Sequence, residues 1–142
     1  MKTRFITALF FCILVIALSV PASAGDCQIS LKEEYGQAVI HVNNAQDLGA
    51  FELELSFDPK ALTVNGIEKG VLMEESKRQF SQMGPKIDSG TLKFGFFSFG
   101  SDPGITGNGV LCRIISKGDS ESLKIKKLVA TDSKGNKVSC KF

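Results

Sequence analysis

Few places in this 142-residue sequence suggest chemistry by residue type and spacing: one histidine, four cysteines and two turn-like stretches rich in glycine or oxygen ligands. His41 lies in "QAVIHV" (37–42), where it shares parity with Val39 and Asn43 and alternates with Ala38, Ile40 and Val42. On a strand that parity puts His41 on the solvent side. No G-x-S-x-G supplies a nucleophile for it to activate, so it reads as an outward polar residue and not as a general base. The cysteines contain no C-x-x-C and no second histidine accompanies them, which argues against zinc. "TDSKGN" (131–136) offers oxygen ligands, but Lys134 breaks the alternation that a calcium loop requires, and a plain turn with Gly135 at positive φ is expected. "GITGNG" (104–109) follows no strand-then-helix unit, so its glycines cannot seat a phosphate on a helix N-terminus, and it reads as a mobile loop. No catalytic residue, metal or cofactor is expected, and the chain does not read as an enzyme.

The first 24 residues read as a secretory signal peptide: Lys2 and Arg4, an apolar run from Phe5 to Val20, then Ala22-Ser23-Ala24 as a cleavage site. Asp26, not a small residue, precedes Cys27, which argues against a lipoprotein. The expected product, residues 25–142, is one domain, secreted or periplasmic, with no membrane anchor. Without Lys2 and Arg4, 15 basic residues balance 15 acidic ones, and that balance implies no nucleic-acid partner. Acids dominate residues 26–75 and bases 76–142, a bias expected to mix on a folded surface. Three cysteines remain, Cys27, Cys112 and Cys140, so an exported compartment permits one disulfide and leaves one thiol over.

The elements that position these residues are short strands between turns. "CQISLKEE" (27–34) points Cys27, Ile29 and Leu31 to one face, "YG" turns the chain, and "QAVIHV" points Ala38, Ile40 and Val42 inward. "FELELSF" (51–57) alternates strictly, with Phe51, Leu53, Leu55 and Phe57 on one face and Glu52, Glu54 and Ser56 on the other, until Asp58-Pro59 ends it. "LTVNGIEKG" (62–70), "GTLKFGFFSFG" (90–100), "VLCRIISK" (110–117), "SLKIKKLVATD" (122–132) and "KVSCKF" (137–142) read as further strands. Residues 71–85 read as one helical turn before a short strand near Phe80. The parities put Leu92, Phe94 and Phe96 inward, with Lys93, Gly95, Phe97 and Phe99 outward. They also put Val110, Cys112 and Ile114 inward, with Leu111, Arg113 and Ile115 outward. Eight or nine short strands with no long helical period predict an all-β, antiparallel β-sandwich.

The succession "GQAVIHVNNAQDLGAFELELSFDPKALTV", "GTLKFGFF", "GNGVLCRIIS" and "LVATDSKGNKV" resembles the cohesin module, the receptor half of the cohesin–dockerin pair of cellulosomes, across essentially the whole predicted domain. The resemblance implies a jelly-roll sandwich and a non-catalytic protein-recognition role with a dockerin-like partner. In cohesins the strand resembling 51–57 lies between those resembling "VLCRIIS" and "TLKFGFFSF", in the sheet that receives the dockerin. Glu52, Glu54, Lys93, Phe97, Leu111, Arg113 and Ile115 would then form one outward patch, apolar with a charged rim, as protein contact surfaces are. Because the first and last strands of cohesins lie side by side, the resemblance also implies a Cys27–Cys140 disulfide, with Cys112 left as a buried thiol. The alternative is a carbohydrate-binding module in polysaccharide catabolism, since such modules share the sandwich. They usually stack sugars on exposed Trp and Tyr, whereas this sequence has no Trp and a single Tyr, Tyr35, in a turn.

Overall fold

The structure is a computed structural model that describes residues 26–142, so the signal-peptide reading of residues 1–24 lies outside the described residues. Nine strands follow in the order β1 (Cys27–Glu34), β2 (Gln37–Ser56), β3 (Leu62–Lys69), β4 (Gln79–Asp88), β5 (Thr91–Phe99), β6 (Ile105–Gly118), β7 (Lys124–Asp132), β8 (Lys137–Val138) and β9 (Cys140–Lys141). The helical elements among the described residues are one turn, α1 (Val71–Glu74), and a 3₁₀ turn at Ser120–Ser122.

The architecture follows from β2. A strand has two edges, yet β2 pairs with four neighbours: β1 along residues 37–43 and β6 along 38–48, then β5 along residues 50–56 and β7 along 48–56. It therefore leaves one layer and enters the other. One layer runs β3-β6-β2-β1-β9 and the second β4-β5-β2-β7-β8, with all pairings antiparallel except β1–β9. This is the antiparallel jelly-roll sandwich, its two sheets joined through a shared strand.

The crossing is built at residues 43–49. Asn44 (φ 55°) and Asp47 (φ 54°) take the left-handed conformation that Asn and Asp tolerate better than other non-glycine residues. The register against β6 shifts between Val42 and Ala45 and again between Ala45 and Leu48. Such bulges bend a strand and increase its twist. Gly49 completes the corner, since a Cβ there would stand 2.4 Å from the Asp132 carbonyl oxygen. The turn-forming "NNAQD" thus bends one 20-residue strand where the sequence reads as two strands with a break between them.

The core is where the inner faces meet. Ile29, Ile40 and Val42 of the first layer and Phe51, Leu53, Leu55, Leu92, Phe94 and Phe96 of the second are all buried. Phe96 packs its ring 5.7 Å from Phe51 and edge-on to Phe94 at 6.4 Å, geometries that add to plain burial. Cys27 and Cys140 are register partners in the β1–β9 pair and are joined by a disulfide, while Cys112 is a free, fully buried thiol.

Two segments differ from their sequence reading. Residues 71–85 contain the expected helical turn, but the following strand, β4, is ten residues long and forms a hairpin with β5. It is an edge strand, mostly exposed on both faces, so it carries little hydrophobic alternation. "GITGNG" is not a mobile loop: Ile105–Gly109 begin β6, and Gly104 is tied to Asp47.

Candidate partner-binding face

The outer face of the second layer carries the proposed site, and antiparallel register arranges its outward residues in rows across four strands. Ser81, Phe97, Ala50 and Thr131 form one row, followed along the strands by Met83, Gly95, Glu52 and Val129. Lys86, Lys93, Glu54 and Lys127 form the third row. Met83, Phe97, Phe99 and Val129 are each between 38% and 48% exposed, high for large apolar side chains and the mark of an uncovered apolar patch. The Phe97 and Phe99 rings lie 6.4 Å apart, tilted by 41°. Gly95 leaves the centre of the face low, because a Cβ there would lie 2.6 Å from the Phe51 carbonyl oxygen. Beside it a shallow recess of about 220 Å³ is lined by Ala50, Phe51, Glu52, Met83, Val129 and Thr131. Lys93 Nζ and Glu52 Oε1 are 3.2 Å apart in an exposed ion pair at the rim, of a kind that adds little stability.

The residues predicted to share one patch divide between the two layers. Glu52, Glu54, Lys93 and Phe97 lie together on the face just described. Arg113 and Ile115 do not join them, because "VLCRIIS" pairs with the first half of β2 and with β3, and the second half of β2 is flanked by β7 instead. They project from the opposite layer, where Arg113 lies in register with Glu68 and Val39. Leu111 is not outward at all, being 0% exposed. Ile40 opposes Cys112 while His41 opposes Val110, so Leu111 is the extra residue of a bulge and its parity is shifted. Its carbonyl accepts a 2.6 Å hydrogen bond from Gly70 N–H. His41 does lie on the outer side of its layer, but half-sheltered, its Nε2 2.7 Å from Glu34 Oε1.

Two polar residues that the sequence did not single out organise the end of the sandwich near Phe99. Arg78 is only 6% exposed and meets no carboxylate among the described residues. Its guanidinium donates from Nε to Ser98 Oγ (2.8 Å) and from Nη1 to the carbonyls of Gly100 (2.7 Å) and Asp102 (2.6 Å). A buried charge is tolerable when its donors are all engaged. Ser98 Oγ in turn donates to the Gly49 carbonyl at the β2 corner. Asp47 accepts from Gly104 N–H (2.6 Å) and Ser133 Oγ–H (2.8 Å), and these bonds, the first above all, hold its carboxyl below the ordinary carboxylate range.

The "TDSKGN" segment closes on itself. Asp132 accepts from the Asn136 side chain (3.0 Å) and from the backbone N–H groups of Asn136 (2.8 Å) and Lys134 (2.9 Å), which lowers its carboxyl pKa, and Gly135 has φ 86°. Among the described residues no group of three or more His, Cys, Asp or Glu is placed to hold a metal ion, and no helix is long and apolar enough to cross a membrane.

Comparison with known proteins matches this arrangement to a family. The family model described as "Cohesin domain" covers residues 37–140, and the chain belongs to that family. Among solved structures, a non-cellulosomal cohesin from the hyperthermophilic archaeon Archaeoglobus fulgidus is similar with a TM-score of 0.63 and 20% identity, over 82% of this chain and 86% of that one. The sixth cohesin of scaffoldin B from Acetivibrio cellulolyticus, solved in complex with a mutant Cel5 dockerin, has a TM-score of 0.63 and 15% identity over 82% and 94% of the two chains. Type II cohesin A11 from Bacteroides cellulosolvens gives 0.63 and 13% over the same shares. No curated protein matches the chain in sequence.

Proposed function

We propose that this chain is an exported, non-catalytic recognition module that binds a dockerin-type protein through the outer face of β4, β5, β2 and β7. The observation that carries the reading is the uncovered apolar group Phe97, Phe99, Met83 and Val129 beside a charged rim, on the layer containing the strand that the cohesin resemblance assigns to dockerin binding. Solved relatives include cohesins in complex with dockerins. The Cys27–Cys140 disulfide favours an oxidising, exported setting. The tilt between Phe97 and Phe99 favours a protein partner over a polysaccharide, since a flat run of sugar rings needs coplanar aromatic faces.

The test is a pull-down with residues 26–142 from secreted and envelope fractions of the source organism, run in parallel with the Phe97→Asp variant. The expected catch is a protein bearing paired calcium-loop repeats, lost with the variant by about 2 kcal/mol or more if Phe97 is a hot spot. An unchanged catch with Phe97→Asp, while circular dichroism shows both proteins folded, rejects the face. Retention on insoluble polysaccharide that depends on Phe97 selects the carbohydrate alternative.

A further inference from the structure

Among the described residues the sandwich guards three open strand edges and leaves a fourth bare. An edge strand offers unpaired N–H and C=O groups to any other strand, and proteins blunt such edges with bulges, proline and lysine. β3 carries a register shift between Val64 and Gly66, and β4 a shift between Met83 and Lys86 with Pro85 inside it. β7 runs past the two residues of β8 with Lys124, Lys126 and Lys127 exposed and a shift between Lys127 and Ile125. β1 differs. It pairs with β2 from Gln28 to Glu34 without a register shift, and β9 covers only Cys27 and Gln28 of its other edge. Along that edge Ile29 to Glu34 have no strand beside them among the described residues. The two carboxylates of the stretch are turned back onto the domain: Glu33 Oε2 accepts from Ser120 Oγ–H (2.6 Å), and Glu34 Oε1 lies 2.7 Å from His41 Nε2. Lys32 is left as its exposed charge, with no salt bridge among the described residues.

Beside the bare edge the interior is incompletely closed. Leu31 packs on the core but is only partly buried, as are Ile125 and Leu128 of β7. A groove of about 270 Å³ opens between Leu31, Glu33 and Ala38 of the first hairpin and Ser120 and Leu123 beyond it. An unpaired backbone with an apolar shoulder is satisfied by an added strand, whose main chain supplies hydrogen bonds and whose alternate side chains supply specificity. A second copy of the chain does not fit. A two-fold axis at Leu31 brings Glu34 opposite Gln28, whose edge Lys141 already fills, and an axis at Lys32 or Glu33 sets like charges face to face. We infer that β1 accepts an extended peptide segment of another protein, added as a strand along Ser30 to Glu33 and carrying the pattern apolar, acidic, apolar. The apolar residues oppose Leu31 and Glu33 and turn inward to the groove, while the acidic one opposes Lys32 on the outer side. The pattern is the same in either strand direction. This edge belongs to the layer opposite Phe97, so the inference does not depend on the docking-face reading.

Display selection on residues 26–142 tests this, with a library of short linear peptides randomised throughout as the probe. The expected result is enrichment of apolar–acidic–apolar triplets, with acid favoured about fivefold over base at the middle position and the preference reversed on Lys32→Glu. A selected peptide should lose binding when alternate backbone nitrogens are methylated, should slow hydrogen exchange within 29–34, and should bind Phe97→Asp unchanged. Peptides lost with Phe97→Asp belong to the docking face; they overturn the inference and leave that face standing. No enrichment, a middle position indifferent to Lys32→Glu, or binding that survives methylation at every position overturns it as well. A dimer of the unliganded domain with protection confined to 29–34 assigns the edge to a second copy and overturns the peptide.

Discussion

Removing the Cys27–Cys140 bond should lower stability by an amount calculable from its place in the chain. The two cysteines are 113 residues apart, so the bond closes nearly the whole described chain into a loop. In the chain-entropy description a loop of that length removes about 16 cal/mol/K from the denatured ensemble, or about 5 kcal/mol at 25 °C. Residual structure in the denatured chain subtracts from this, so a loss of about 2–5 kcal/mol is expected. Urea unfolding of oxidised protein, reduced protein and the Cys27→Ala, Cys140→Ala variant provides the assay. With a slope of about 1.5 kcal/mol/M, a 3 kcal/mol loss moves the midpoint down by about 2 M. The variant should unfold with the reduced protein and ignore reductant. The oxidised protein should also show the smaller slope, because its crosslinked denatured state exposes less surface. Cys112 is the internal control: burial raises its pKa, which keeps it a thiol and unreactive to exchange. Superimposable curves for oxidised and reduced protein, or a crosslinked peptide containing Cys112, would refute the reasoning.

Other outcomes test the sandwich and its corner. Leu55→Ala should cost about 2–5 kcal/mol in a thermal or urea melt, since Leu55 is fully buried, whereas Glu54→Ala on the opposite side should cost under about 1 kcal/mol; equal losses would contradict the one-sided strand. Arg78→Met strands the Gly100 and Asp102 carbonyls and the Ser98 hydroxyl, and a loss of about 3 kcal/mol or more is expected, with hydrogen exchange rising first at 98–104; an unchanged melting temperature would show that those acceptors find other donors. Asp47 has a folded pKa below its unfolded value, so its contribution is complete above about pH 4 and is lost as pH falls through the folded value. Asp47→Asn should therefore flatten the acid limb of a stability–pH profile, less Asp26 and Asp132, which titrate in the same direction; an unaltered limb would remove Asp47 from it.

The sequence by itself determined what depends on local alternation. Period-two patterning put Phe51, Leu53 and Leu55, and Leu92, Phe94 and Phe96, in the core and left Phe97 exposed, because a side chain's face on a regular strand depends only on its parity. The family was legible in the order of "DLGAFELELSFDP", "GTLKFGFF" and "TDSKGN", and Cys27 and Cys140 do meet across the first and last strands. Only the tertiary structure decided which strands are neighbours. Nothing in 51–57 says that its second edge goes to 124–132 and not to 110–116, so the strand alone does not reveal that Arg113 and Ile115 belong to the other layer. The burial of Leu111 is hidden from parity for a related reason: a bulge is one residue too many relative to a partner, so it exists in the pairing and not in either strand alone. Arg78 and Asp47 look in sequence like ordinary surface charges. Asp47's partners, Gly104 and Ser133, lie 57 and 86 residues away and meet it where β2 turns its corner between the two sheets, while Arg78's, at Ser98, Gly100 and Asp102, lie 20 to 24 residues away and are brought to it by the pairing of β4 with β5.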